Sequence, residues 1–247
     1  MKTLSVLMMS GWLMLFCLVS GMPQASGQDA ERLQGAWRSG TPDGEEVLLF
    51  QDGYFTHTRY DLAGKRFLMT RGGTYATADN GIAVTYEFHS AEPEETGKRY
   101  NYAISFRNGE LIMDLGAKEQ SWERVDDSAA PLAGVWKISE RLSDGKLVQI
   151  HQRGTRKTLK VLTGTRFQWF AIDPGTKLFA GTGGGTYTFR DGRYTENIEF
   201  FSRDNSRVGA SLGFDGKLEA GKWHHSGTSS KGDKIYEVWS RAYPAGE

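Results

Sequence analysis

The feature that most constrains the fold of this chain is an internal duplication. When residue n is aligned with residue n + 112, residues 55–90 match residues 167–202 without a gap, and 13 of the 36 aligned pairs are identical. Ordinary residue usage would give roughly two identities by chance. Four of the identities are consecutive, because Gly-Gly-Thr-Tyr occurs at 72–75 and again at 184–187. The chain therefore contains two copies of one folding unit.

The ends of the two copies also agree. A Gly-x-Trp triplet opens each copy, but at an offset of 99, so the second copy carries 13 additional residues around positions 141–163. A short stretch of polar and small residues separates the copies. We therefore predict a first repeat over 28–125, a linker over 126–131 and a second repeat over 132–243.

Within each copy the pattern is one of short strands and tight turns. Asp-Gly and Asn-Gly accept the positive φ angles of two-residue hairpin turns, so each marks an expected chain reversal. They occur at 43–44, 52–53, 80–81, 108–109, 144–145, 191–192 and 215–216. Between them lie alternating runs such as 82–88, and no long amphipathic helix is evident. We predict an all-β fold of two tandem small antiparallel up-and-down β-barrels, each with roughly eight strands, because closure removes exposed sheet edges.

The first residues have the features of a cleaved leader. An apolar stretch over 4–19 precedes Ala25-Ser26-Gly27, whose small residues suit signal peptidase. We predict a signal peptide over 1–27 and a secreted or periplasmic, bacterial mature protein. Cys17 lies inside this leader, so we expect no lipid anchor, no disulfide and no thiol chemistry. No later segment approaches the ~20 apolar residues of a membrane helix, so we expect no integral membrane segment in the mature chain.

Charge and motifs exclude several classes of partner and chemistry. The formal net charge is zero, which argues against a nucleic-acid partner because such proteins need a basic surface. The five histidines have no metal-ligand spacing, and no Gly-x-Ser-x-Gly elbow, His-Glu-x-x-His or phosphate loop occurs. We therefore assign no catalytic residue, no metal site and no cofactor.

The opening and closing residues of each copy resemble the lipocalin and calycin family. Gly-x-Trp on the first strand and an arginine on the last strand form that family's signature, and the arginine lies across the indole ring at one end of the barrel. Carried over, the resemblance pairs Trp37 with Arg124, and Trp136 with Arg241. The second copy also resembles a lipocalin-like domain of secreted bacterial proteins of unknown function, over 183–189, 194–200 and 232–241. The resemblance implies tandem lipocalin-like barrels.

Strand alternation identifies a candidate site in the second copy. Ile82, Val84, Tyr86 and Phe88 share an apolar face, which we expect to point inward. The equivalent residues of the second copy are Tyr194, Glu196, Ile198 and Phe200. Glu196 thus places a carboxylate among apolar side chains, where it needs a partner or a shifted pKa. Two interpretations are open: a functional carboxylate, or a structural ion pair or mouth residue.

The same alternation nominates neighbours of Glu196. Aromatic walls with a few polar points are typical of a small-molecule site, although for any single aromatic core packing is the better interpretation. The predicted ligand-binding residues are Glu196, Tyr187, Trp169, Tyr194, Phe167, His225 and Glu237.

The two copies also differ in charge. Residues 28–125 carry a net charge of −5 and residues 131–247 a net charge of +6. Basic residues of the additional segment contribute much of the difference: Lys146, Arg153, Arg156, Lys157 and Lys160. This pattern indicates a solvated loop, attraction between the two domains, or steering of an anionic ligand.

Together these features favour an exported, non-enzymatic binding protein. Its expected partner is a small amphipathic or sugar-like ligand held in the second barrel. Two alternatives are open: a structural or protein-interaction module with a partner protein in the cell envelope, and an enzyme that uses Glu196 as general acid or base.

Overall fold

The computed structural model describes residues 31–41, 44–78, 81–116, 118–151, 154–229 and 232–243. The predicted signal peptide and Cys17 lie outside these residues. The first copy forms a closed antiparallel barrel in which each strand pairs with the next and the last strand pairs with the first. Its strands are β1 (Gly35–Thr41), β2 (Gly44–Gln51), β3 (Tyr54–Asp61), β4 (Arg66–Ala78), β5 (Gly81–His89), β6 (Arg99–Arg107), β7 (Glu110–Asp114) and β8 (Glu119–Asp126).

The second copy forms a second closed barrel. Its strands are β9 (Gly134–Ser143), β10 (Lys146–Gln149), β11 (Lys157–Leu162), β12 (Arg166–Asp173), β13 (Leu178–Arg190), β14 (Arg193–Phe201), β15 (Ser211–Glu219), β16 (Lys222–Thr228) and β17 (Lys234–Arg241). The barrel closes where β9 pairs with β17, while β10 pairs with the far end of β9 as a protruding hairpin. The additional residues of the second copy build this hairpin and its return to β11. The predicted fold class, two tandem antiparallel barrels, is confirmed.

Four of the predicted turn dipeptides reverse the chain between neighbouring strands. Both residues have positive φ at 52–53, 108–109, 144–145 and 191–192, as a two-residue hairpin turn requires. The turn predicted at 215–216 is wrong, because both residues lie inside β15. Gly216 is needed there for space, since a Cβ atom would come within 2.9 Å of the Phe189 ring. Positions 43 and 80, in the two remaining dipeptides, are outside the described residues.

A tryptophan–arginine pair covers the same end of each barrel. The guanidinium of Arg124 lies 4.0 Å from the ring centre of Trp37, and Arg241 lies 4.0 Å from that of Trp136. Each indole N–H donates to a backbone carbonyl four residues earlier. Gly134 is required beside the second pair, because a Cβ atom there would lie 1.3 Å from Nη1 of Arg241.

The two barrels pack against each other through a shared apolar cluster. Phe88 and Phe200 lie in this cluster and not inside their barrels, so the prediction that they point inward is wrong. A β-bulge explains the difference: Gly72 pairs with Phe88 but Gly73 pairs with Tyr86, so one residue is skipped and the alternation changes phase. The same shift follows Gly184 in the second copy. The equivalent rings of Phe67 and Phe179 stack at 6.4 Å across the contact.

Polar contacts surround this apolar cluster. Lys157 Nζ lies 2.6 Å from Glu87 of the first barrel, and the Tyr60 hydroxyl donates to Glu199 of the second at 2.7 Å. Gln168 bridges the barrels through Thr58, at 3.1 Å, and Thr70, at 3.0 Å. Part of the basic segment therefore holds the two barrels together.

No helix among the described residues is long and apolar enough to cross a membrane. The helical turns at Pro93–Glu95 and Asn205–Arg207 have three residues each.

Candidate ligand-binding site

The second barrel contains a cavity of about 280 Å³. Its wall begins next to the closing pair, because Ile138 and Trp239 line it and lie two residues from Trp136 and Arg241. Apolar and aromatic side chains make up most of its wall. The lining residues are Ile138, Thr158, Lys160, Trp169, Glu196, Ile198, Phe201, Arg207, Ala210, Leu212, Phe214, His225, Ser229, Ile235, Glu237 and Trp239.

Four strands each bring one ionisable side chain to the bottom of this cavity. We call Lys160 (β11), Glu196 (β14), His225 (β16) and Glu237 (β17) the charged floor. His225 and Glu237 are directly opposite each other in the ladder between their strands. Lys160 points inward because β11 alternates: Leu159 and Val161 enter the cluster between the barrels, so the intervening residue faces the interior.

Lys160 and Glu196 form a buried ion pair. Nζ lies 2.8 Å from Oε1 of Glu196, and the two side chains are only 6% and 7% exposed. The Tyr194 hydroxyl donates to the same oxygen at 2.9 Å. Four aromatic ring centres lie 5.1–5.7 Å from the ammonium, close enough for cation–π attraction. The Glu196 carboxylate is therefore part of a structural ion pair with Lys160, which is one of the two interpretations that the sequence left open.

His225 has an incomplete set of hydrogen bonds. It is 3% exposed, yet neither ring nitrogen has a hydrogen-bond partner. Nδ1 lies 3.4 Å from Oε2 of Glu237, a long contact in which a ring protonated at Nδ1 points its N–H at the carboxylate. Burial lowers the pKa of His225, Glu237 opposes this effect and Lys160 reinforces it. The ring is therefore neutral at pH 7, and buried polar atoms in this state normally find a partner.

Glu237 is the carboxylate that faces the His225 ring. Burial on its own raises the pKa of Glu237, but His225, Lys160 and the indole N–H of Trp239 together outweigh burial, so its pKa lies below the ordinary value. The Trp239 N–H donates to Oε2 at 3.1 Å. The side chain is 26% exposed, so this ionised carboxylate faces the cavity.

The predicted site residues fall into two groups. Trp169, Glu196, His225 and Glu237 line the cavity. The other three lie deeper, in the packed core of the closed end: Phe167, Tyr187 and Tyr194. Tyr194 reaches the site indirectly, through its hydrogen bond to Glu196.

Sequence reasoning missed Lys160, which it placed in the basic additional segment. The offset of 112 already holds at this point, because Lys160 pairs with Trp136 as Leu48 pairs with Trp37. Aligning 47–50 with 159–162 shows a lysine in place of one leucine of an apolar strand. This lysine at an inward-facing position of the strand is the sequence feature from which the partner of Glu196 could have been predicted.

The first barrel shows what the charged floor replaces. By register, its equivalent residues are Leu48, Val84, Met113 and Gln120. The first three are almost fully buried and belong to the packed core of that barrel. The second barrel therefore exchanges a mostly apolar layer for four ionisable side chains.

The mouth of the first barrel is also filled. Arg71 reaches across it, with Nε donating to Nδ1 of His57 at 3.2 Å and Nη2 donating to the carbonyl oxygen of Leu115 at 2.9 Å. In the second barrel the pair becomes Gly183 and Trp169. In place of the arginine side chain, the rings of Phe201 and Trp169 cover this position, since a Cβ atom at Gly183 would lie 2.8 Å from each of them.

One cluster of acidic residues on the first barrel has carboxylates close enough together to hold a metal ion. Glu92, Glu94 and Glu95 approach one another on the surface, but Glu95 is already paired with Lys98 at 2.7 Å. The cluster contains no buried ligand, so it carries no assignment.

Comparison with known proteins adds no family to this description. Neither a protein-family model nor a curated protein matches the sequence.

Proposed function

We propose that this chain is an exported, lipocalin-like binding protein that holds a small amphipathic molecule in its second barrel. The observation that carries the proposal is the charged floor beneath a mostly apolar cavity, at positions where the first barrel has a packed core. Exchanging core residues for buried charges costs free energy, and a binding site gives that exchange a function.

The distribution of polar groups favours an amphipathic ligand. Ionisable side chains are concentrated at the bottom of the cavity, while Ile198, Phe214 and Ile235 are among the apolar residues of its wall. A sugar would need hydrogen-bond partners on all sides, so it fits less well. A molecule with one polar end and one apolar end satisfies both regions.

Export and family rest on other observations. The leader over 1–27 supports secretion. The Gly-x-Trp strand, the closing arginine and the eight-stranded closed barrels support a lipocalin-like family. A fold alone does not define a function, so the cavity carries the argument for binding.

Ligand capture tests the proposal. Native mass spectrometry of protein purified from its own host should show a bound small molecule, and a neutral apolar fluorophore such as N-phenyl-1-naphthylamine should bind. The matched variant combines Trp169→His and Phe201→His with Gly183→Arg, which installs the residues of the first barrel (His57, His89 and Arg71) and removes both rings that a Cβ atom at Gly183 would meet. We expect this variant to stay folded and to lose binding. A milder variant, Ile198→Tyr, installs the residue of the first barrel in the wall and should weaken binding.

Two results would contradict the proposal. Absence of both a retained molecule and fluorophore binding would leave the cavity without a ligand and would favour a module that binds an envelope protein. Turnover abolished by Glu196→Gln would favour an enzyme. The geometry gives less support to that alternative, because Lys160 and Tyr194 both already bind Oε1 of Glu196.

A further inference from the structure

The charged floor does not balance electrically. Glu196 is neutralised by Lys160 at 2.8 Å, whereas Glu237 faces a histidine that is neutral at pH 7. The floor therefore carries one unit of negative charge. Arg207, which also lines the cavity, does not compensate it, because its Nε lies 3.1 Å from Asp204.

Water can solvate this charge while the cavity is empty. The Glu237 side chain is 26% exposed, so solvent reaches the carboxylate. A ligand that fills the cavity displaces that solvent, and an ionised carboxylate left without water or a counter-charge is costly. The ligand must therefore bring its own compensation.

The surroundings favour a positive charge as that compensation. The rings of Phe214 and His225 are 4.2 Å apart between centres, and Trp169, Phe201 and Trp239 also line the cavity. Aromatic faces attract cations. With the proton of the neutral His225 ring on Nδ1, facing Glu237, the unpartnered Nε2 is an acceptor for an N–H donor.

From this arrangement we infer that the ligand of the second barrel is an amphipathic amine whose protonated head group lies against Glu237 and His225. This inference rests on the proposed binding function and names the ligand class. A carboxylate-headed ligand would add a second uncompensated negative charge, and an alcohol would leave the first one in place.

A matched series of head groups tests the inference. Octylamine, octanol and octanoate share one chain length and differ in charge at pH 7. Displacement of N-phenyl-1-naphthylamine from the full mature protein should give octylamine at least about tenfold tighter binding than either of the others, as expected for a hydrogen bond to a charged group. Equal or tighter binding of octanol or octanoate would overturn the inference.

A substitution at the carboxylate makes the test specific. Glu237→Gln installs the residue found at the equivalent position of the first barrel, Gln120, and keeps an acceptor for the Trp239 N–H. We expect octylamine affinity to fall at least about tenfold and octanol affinity to change less than about twofold. The control is Glu219→Gln, which removes an exposed carboxylate of the same barrel and should leave the series unchanged. An unchanged preference for octylamine in Glu237→Gln would refute the inference.

The outcomes separate this inference from the function on which it rests. If the fluorophore binds and the filled variant excludes it, but the three head groups bind alike, the ligand class is wrong and the binding function stands. If the fluorophore does not bind and no molecule is retained from the host, the binding function itself fails. The head-group series on the unmodified protein decides between these cases even if a variant misfolds.

Discussion

The buried ion pair can be replaced by the residues that the first barrel uses in its place. Lys160→Leu and Glu196→Val install Leu48 and Val84 at their equivalent positions. We expect each single substitution to destabilise the protein strongly, because it leaves the other charge buried without a partner. The double substitution should restore most of the lost stability, since it removes both charges together.

The magnitudes follow from the burial of the pair. With both side chains about nine-tenths buried, loss of one partner costs about 3–5 kcal/mol, whereas replacing a whole buried pair by apolar groups is neutral or stabilising by about 1–4 kcal/mol. The Tyr194 hydroxyl loses its acceptor in the double variant, and an unpaired buried hydroxyl costs about 1–3 kcal/mol. These two effects nearly cancel. The double variant should therefore lie within about 2 kcal/mol of the unmodified protein.

Urea unfolding at pH 7, followed by tryptophan fluorescence, measures these differences. Four of the seven tryptophans lie in the second barrel, so the signal reports on the altered domain. The internal control is the exposed pair Arg38–Glu123, with side chains 54% and 62% exposed, whose coupling should stay below about 1 kcal/mol. If the losses of the two single variants simply add in the double variant, the ion pair is not what compensates each charge, and the reasoning is refuted.

Two further predictions concern pH and the closed end. Burial, aided by Arg71 and opposed by Glu46, lowers the pKa of His57 to about 4. The unfolded chain binds that proton near pH 6.5 and the native protein does not, so the contribution of His57 to stability should fall by about 3 kcal/mol as the pH drops from 6.5 to about 4. In urea titrations, the free energy of unfolding of His57→Gln should therefore depend less steeply on pH than that of the unmodified protein. An unchanged pH dependence would contradict the assignment. Arg241→Ala removes the guanidinium from the Trp136 ring and a hydrogen bond to a backbone carbonyl, so unfolding midpoints should report a loss of about 1–3 kcal/mol, with Arg241→Lys recovering only part of it.

The sequence was sufficient for the architecture because the relevant signals are local and repeated. Hairpin dipeptides and alternation predicted two antiparallel barrels, and the substitution of Glu196 for Val84 directed attention to the second one. The predicted alternation of inward and outward side chains holds along β5 and β14 only up to the β-bulge in each strand. Beyond it Phe88 and Phe200 change face, because a skipped residue has no mark in the sequence of a single strand.

Strand alternation could not predict how deep inside the barrel a side chain lies. Phe167, Tyr187 and Tyr194 do face the interior, but they fill the closed end below the cavity. Which face a side chain occupies follows from its position along one strand, whereas its depth depends on how all strands are staggered around the barrel. The partner of Glu196 was missed for a related reason, because finding it required the register of β11 across the additional segment.

The two copies are alike on the surfaces through which they pack together and differ in the interiors of their barrels. Phe67 and Phe179 are equivalent residues that stack on each other, and Phe88 and Phe200 enter the same cluster. Inside the barrels, by contrast, Leu48 and Val84 have become an ion pair, and the arginine that fills the first mouth has become Gly183. A pairing surface shared by both copies fixes how the barrels dock, so the interior of one copy can change without altering the assembly. Under the proposed binding function the first barrel is a packed support, so substitutions inside it should lower the stability of the protein far more than its affinity for the fluorophore.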